Sequence, residues 1–256
     1  MTIRKVVNFG CSFAYGNCVD RHDHLSPNHR SVATGIAETY GLTEINLARP
    51  GNSNEGILDN VLSWISSTTK KERSSCLLLV GWSGASRFGF VSDLPRVSNK
   101  PRVGKEAGPT AETAFTLGPA NPYRFVIDKF DDRWVNFHIN FMETGRLVFY
   151  RSLISMQALA TKNKMKIIYY HSLQPMRTKD FPEAMIYEEN DEIRKLINVD
   201  QFYNFEKDSL QEVTNSDKSK YFVSHKDSHP NHIAYNYWND RLVNWIEENK
   251  RFGYQL

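Results

Sequence analysis

Ser12 follows the short run Val6-Val7-Asn8-Phe9 and the pair Gly10-Cys11, and Phe13 comes after it. A serine placed where a short buried strand ends, beside a glycine, stands at the rim of an α/β sheet, where a nucleophile can face a crevice. At the far end of the chain, Asp227-Ser228-His229-Pro230-Asn231 precedes the last helix-like segment. Serine, aspartate and histidine are the residue types of an acyl-transfer triad, and here they occur in the order Ser, Asp, His. In that chemistry Ser12 Oγ attacks an ester or related acyl carbon. His229 takes its proton and returns it to the leaving alcohol, and Asp227 orients the imidazole.

Each residue also has a plainer reading. On position alone Ser12 is a turn cap after the first strand. Asp227 and His229 read equally as a loop that N-caps the last helix, with Pro230 in its first turn. Gly51, after Pro50, reads as a turn glycine. His225 is a rival base, but it precedes Asp227 and lacks the His-Pro context. Cys11 alternates away from Ser12 along a strand and reads as a small buried apolar residue rather than a nucleophile. The ordered set, not any single member, turns the reading toward catalysis.

The elements that must bring these segments together follow from periodicity. Residues 4–9, 43–47, 75–81 and 165–170 read as strands, the first and third apolar enough for burial on both faces. Residues 31–40, closed by Gly41, read as a helix, as do residues 55–69 behind an N-cap at Ser53 or Asn54, 144–163 and 232–250. Over residues 1–90 strand and helix alternate, which is the α/β signature. Residues 91–140, with aromatics such as Tyr123, Phe125, Phe130 and Trp134, and the charged residues 173–220 read as two insertions into one domain spanning 1–256.

Composition sets the outer limits. Of the 256 residues, 40% are hydrophobic and 24% charged, which is ordinary for a globular chain with a full core. A net charge of +3 argues neither for nucleic acid nor for a membrane surface. Three cysteines, Cys11, Cys18 and Cys76, have no metal-ligand spacing and do not make a disulfide framework. Asp20, His22, Asp23, His24 and His29 have the composition of a metal cluster but no ligand motif, and read as a solvated loop. No metal or cofactor is expected. No signal-peptide region or membrane-length apolar run is present, so cytoplasmic synthesis is expected. Neither Gly-x-x-x-x-Gly-Lys-Ser/Thr nor Gly-x-Gly-x-x-Gly follows a strand, which counts against a nucleotide site.

Four blocks stand at expected strand ends: Gly10-Cys11-Ser12-Phe13, Arg49-Pro50-Gly51-Asn52-Ser53-Asn54, Gly81-Trp82-Ser83-Gly84 and Asp227-Ser228-His229-Pro230. Their order resembles the SGNH (GDSL-like) hydrolase family, in a Gly-Cys-Ser-Phe variant seen in bacterial and phage members. Cys11 replaces the usual Asp of the first block. The last block is one residue shorter than Asp-x-x-His-Pro. The resemblance implies a three-layer α/β/α sandwich with a parallel, flavodoxin-like sheet of about five strands. It also implies an oxyanion hole from the backbone of Ser12, from Gly51, and from the side chain at position 83. That side chain is Asn in the family and Ser83 here. A hydroxyl has one rotating proton, and losing an oxyanion donor costs about 2.7–4 kcal/mol of transition-state stabilisation. Asn52 and Asn54 are the candidate replacements.

The resulting expectation is a serine-dependent esterase or acylhydrolase for a small or carbohydrate O-acyl ester. Arg87 would suit an anionic substrate group, although a structural ion pair is the plainer reading, and His171 would stand at the crevice or as a rim histidine. Two rivals stand beside it: an acyltransferase on the same site, and a catalytically silent module of a phage particle or surface machinery, motivated by Ser83 and the insertions.

Overall fold

The structure, a computed structural model, describes residues 2–16, 30–84, 87–90, 113–116, 132–173, 175, 192–205, 207–225 and 227–249, with the backbone alone for 87–90, 113–116 and 132–144. The first strand, β1 (Lys5–Phe9), is followed by a single helical turn, α1 (Ser12–Tyr15), then α2 (Thr34–Tyr40) and β2 (Thr43–Asn46). Next come α3 (Asn54–Ser67), α4 (Lys70–Ser74) and β3 (Cys76–Trp82), and a pair of short strands, β4 (Arg87–Phe90) and β5 (Thr113–Thr116). The long helix α5 (Asp132–Asn163) leads into β6 (Lys166–His171). The chain closes with α6 (Leu210–Ser216), α7 (Lys218–Tyr221), the hairpin β7 (Phe222–Ser224) and β8 (Asp227–Pro230), and α8 (His232–Glu248).

Strands β2, β1, β3 and β6 lie in that order in one parallel sheet. This is the flavodoxin-like order, in which the chain runs outward on both sides of β1. Side chains alternate between two cores, as the period of a strand requires. Val6, Leu77, Leu79, Ile168 and Tyr170 face α2 and α8, where Ile36, Trp238 and Leu242 meet them. Val7, Phe9, Leu78, Val80, Ile167 and Tyr169 face α3 and α5, against Ile57, Val61, Phe149, Leu153 and Met156. Three layers result, with the sheet in the middle. No helix among the described residues is long and apolar enough to cross a membrane.

Differences from expectation are local. The sheet has four strands among the described residues where about five were expected. At the β6 edge Phe202 forms a single parallel bridge to Tyr169, and Tyr203 N–H donates to the Tyr169 carbonyl at 2.7 Å. These aromatics sit inside the segment read as a charged insertion. Phe202, Tyr203, Leu210 and Val213 are buried in the two cores, so that stretch is part of the main packing. Local charge hid them, because their burial depends on the β6 edge rather than on sequence neighbours. Helix α5 begins inside the other expected insertion, at Asp132 rather than Thr144. Tyr123, Phe125, Phe130, Cys18 and the loop with Asp20, His22, Asp23, His24 and His29 lie outside the described residues.

Tyr203 packs edge-on against Trp238, with ring centroids 5.2 Å apart. Burial pushes its hydroxyl up to about 12. A tyrosine with a raised folded-state pKa binds its proton more tightly than the unfolded chain does. Stability is therefore full below the ordinary value of about 10 and is lost as pH rises from there toward 12. The melting temperature, measured across pH 8 to about 11.5, is expected to fall above about pH 10, with a shallower fall in Tyr203→Phe.

Candidate active site

In an open parallel sheet, ligands bind beyond the carboxyl ends of the strands, where the strand order reverses. Here that place lies between the ends of β1 and β3. Gly10-Cys11-Ser12 leaves the first and Ser83 the second. The two ends approach closely: a Cβ on Gly10 would come within 2.4 Å of Ala14 Cβ and 2.8 Å of the Gly81 carbonyl. Gly10 also has a φ of +153°, so any side chain there would be both strained and clashing.

Ser12 is the first residue of α1, with Cys11 as its N-cap, and is 5% exposed. A helix of 4 residues cannot satisfy its own carbonyls, and the fold supplies a donor for each. Gly16 N–H donates to Ser12 O. The Tyr235 hydroxyl donates to Phe13 O at 2.8 Å. Asn8 Nδ2 donates to Ala14 O at 2.8 Å, and Asn46 Nδ2 to Tyr15 O at 2.8 Å. Asn8 Nδ2 also reaches Asn46 Oδ1 at 3.1 Å, which ties β1 to β2 beneath the turn. These three donors were not singled out in the sequence. The available signal was one polar residue, Asn8, within the run Val6–Phe9, and the structure buries it fully.

His229 reaches Ser12 from the other end of the chain. Its Nε2 lies 3.0 Å from Ser12 Oγ, and its Nδ1 lies 2.6 Å from Asp227 Oδ1. The carboxylate accepts from Nδ1–H, which leaves the Nε2 lone pair to accept the Ser12 hydroxyl proton. Asp227 and His229 are two apart on β8, so their side chains share one face of the strand. The short Asp-x-His spacing therefore still gives contact. The same Oδ1 accepts His229 N–H at 3.0 Å. The Phe13 ring packs on the imidazole, with centroids 5.3 Å apart. The expected capping loop is instead a strand paired with β7. Pro230 ends that strand, and the N-cap of α8 is Asn231, whose Oδ1 accepts from Ile233 N–H and Ala234 N–H.

The loop after β2 lies beside this turn, because Arg49 N–H donates to Gly10 O at 2.9 Å. Gly51 takes a φ of +83°, a left-handed conformation that suits glycine. Ser53 is the N-cap of α3 and accepts from Gly56 N–H. Asn54 Oδ1 accepts Ser83 N–H at 2.8 Å, joining the loop to the end of β3. Asn52 Nδ2 and Ser83 Oγ are both buried and have no hydrogen-bond partner among the described residues. An unpaired buried polar group costs about 1–3 kcal/mol. Deep in the β6 end, burial holds the Tyr170 hydroxyl well above its ordinary range, so it stays neutral.

His171 ends β6 but is enclosed, with ring centroids of Phe202 and Phe149 at 4.7 and 5.5 Å. The backbone of Arg87 lies in β4, and its side chain is outside the described residues. Cys11 is buried in the core on the α2 and α8 side. Among the described residues, no group of three or more His, Cys, Asp or Glu side chains could hold a metal ion.

At the level of sequence, no family model and no curated protein matches the chain. Among solved structures it is similar to TesA, at 10% identity and a TM-score of 0.50, over 96% of this chain and 99% of that one. It is also similar to the lipase Lip_vut3 from a goat rumen metagenome, at 10% identity and a TM-score of 0.52, over 95% and 97% of the two chains. It is similar as well to a GDSL-like lipase from Bacteroides thetaiotaomicron, at 12% identity and a TM-score of 0.40, over 96% of this chain and 88% of that one. The chain shares the fold of TesA and Lip_vut3, a parallel sheet between two layers of helices. Within that fold, the end of β1, the loop after β2, the end of β3 and the β7–β8 hairpin converge as described above.

Replacing Asn8 by Ala would leave the Ala14 carbonyl without its side-chain donor under the Ser12 turn. Urea unfolding is expected to show a loss of about 1–3 kcal/mol. Tyr235→Phe, which leaves the buried Phe13 carbonyl without its donor, is expected to lose about 1–3 kcal/mol as well.

Proposed function

We propose that the protein is a serine-dependent esterase or acylhydrolase of the SGNH type, acting on a small or carbohydrate O-acyl ester. The observation that carries this reading is the continuous contact from Ser12 Oγ through His229 to Asp227, at 3.0 and 2.6 Å, between segments at opposite ends of the chain. As the Ser12 Oγ–carbon bond forms, the hydroxyl proton moves to His229 Nε2. The carbonyl π pair moves onto the oxygen, where the backbone N–H groups of Ser12 and Gly51 and a third donor would receive it. Collapse of that intermediate breaks the bond to the alcohol, which leaves with the proton from His229. Water then repeats the sequence in reverse and frees the acid. Asp227 keeps the imidazole in the required tautomer and stabilises the imidazolium. The fold supports the reading, because the carboxyl ends of its parallel strands open on one crevice. The carbohydrate ester rests on analogy with the fold.

A second reading is acyl transfer to a sugar or other alcohol, because an acyl group held on Ser12 can pass to an alcohol as well as to water. Product analysis with and without added alcohol separates the two: transfer leaves an acylated alcohol, and hydrolysis leaves free acid.

The kinetic test uses p-nitrophenyl acetate. Wild type is expected to turn it over, and Ser12→Ala to lose that turnover. Asp227→Asn, which favours the wrong tautomer, is expected to lower kcat about 10⁴-fold while the fold persists. Equal rates in wild type and Ser12→Ala would remove Ser12 from the chemistry.

A further inference from the structure

We propose that Asn52 supplies the side-chain donor of the oxyanion hole, in place of the residue at the end of β3. The assignment rests on the acyl-transfer reading of Ser12 and names the donor that reading lacks. Asn52 is 6% exposed, and its Nδ2 has no partner among the described residues. An amide buried without an acceptor is a stored cost unless an acceptor arrives with the substrate.

Its neighbours place it. On one side, Arg49 N–H holds the loop to Gly10, two residues before Ser12. On the other, Asn54 Oδ1 holds it to Ser83 N–H. Asn52 lies between these anchors. Its own N–H closes the turn by donating to Arg49 O at 3.2 Å, and it directly follows Gly51, whose backbone turns at a φ of +83°. The Gly51 N–H and the Asn52 amide thus come from one tight turn at the crevice between β1 and β3.

Of the alternatives, Asn54 has another duty, while the Ser83 hydroxyl is, like the Asn52 amide, buried without a partner among the described residues and differs from it in reach and direction. Asn54 spends its oxygen on Ser83 N–H and braces the end of β3. Ser83 carries a hydroxyl one carbon from its backbone, with a single proton that rotates. The Asn52 side chain is longer, and its planar amide presents N–H groups in fixed directions. The donor gives a hydrogen bond to the oxygen as charge builds there and transfers no proton. The proton released by Ser12 goes to His229.

The test measures p-nitrophenyl acetate kinetics and thermal melting for wild type, Asn52→Ala, Asn52→Asp and Ser83→Ala. Asn52→Asp keeps the shape and the acceptor oxygen while deleting both N–H donors, so it stands in if the alanine variant does not fold. The expected result is a kcat loss of about 10²–10³-fold in the Asn52 variants, with KM within about three-fold and melting retained. The loss in Ser83→Ala is expected to be smaller. Asn52 variants that keep kcat within about three-fold of wild type, or a larger loss in Ser83→Ala, would overturn the assignment while the Ser12 reading stands. A folded wild type with no turnover at all would overturn both together.

Discussion

A four-residue helix at the rim of a sheet has no following turn to donate to most of its carbonyls. The arrangement around Ser12 depends on how that problem is met. Asn8 from β1, Asn46 from β2 and Tyr235 from α8 each send one donor to the turn. Water could satisfy the same carbonyls only if the turn were exposed, and here it is buried. The side chains therefore do two things at once. They remove the cost of unpaired carbonyls, and they fix the direction in which Ser12 Oγ leaves the turn. Tyr235 also couples the turn to α8, the helix that begins just after His229, so nucleophile and imidazole are referenced to the same element.

The second constraint is the hairpin. A loop carrying Asp227 and His229 would leave their relative orientation to chain flexibility. On β8 they share a face by strand periodicity, and pairing with β7 holds that strand in place. The Asp227 carboxylate then contacts both the ring and the backbone of His229. Phe13 packs against the imidazole from the Ser12 side. Sheet order, turn and hairpin thus bring together groups more than 200 residues apart at a separation suited to proton transfer.

The sheet was legible because its strands are local apolar runs: residues 75–81 and 165–170 announce themselves, and alternation with helices gives the α/β class, while the flavodoxin-like order came from the family resemblance alone. Ser12, Asp227 and His229 were legible as residue types at strand ends. Less legible was whatever depended on distant partners. Asn8 passed as one member of an apolar run, because its purpose lies in Ala14 and Asn46. The hairpin was hidden because a three-residue and a four-residue strand carry no periodic signal. Phe202 and Tyr203 were masked by surrounding charge, since only the open edge of β6 makes them core. The choice between Asn52, Asn54 and Ser83 required the hydrogen bond from Ser83 N–H to Asn54, which no spacing reveals.

The central claim is that Ser12 is an activated nucleophile held by His229. Intact-mass labelling with a small fluorophosphonate tests it most directly, because the reagent reports nucleophilicity without any guess at the substrate. The account predicts a single adduct on the wild-type protein, mapped to Ser12, absent in Ser12→Ala and strongly slowed in His229→Ala. A folded wild-type protein that takes no adduct, or takes it at another residue, would contradict it.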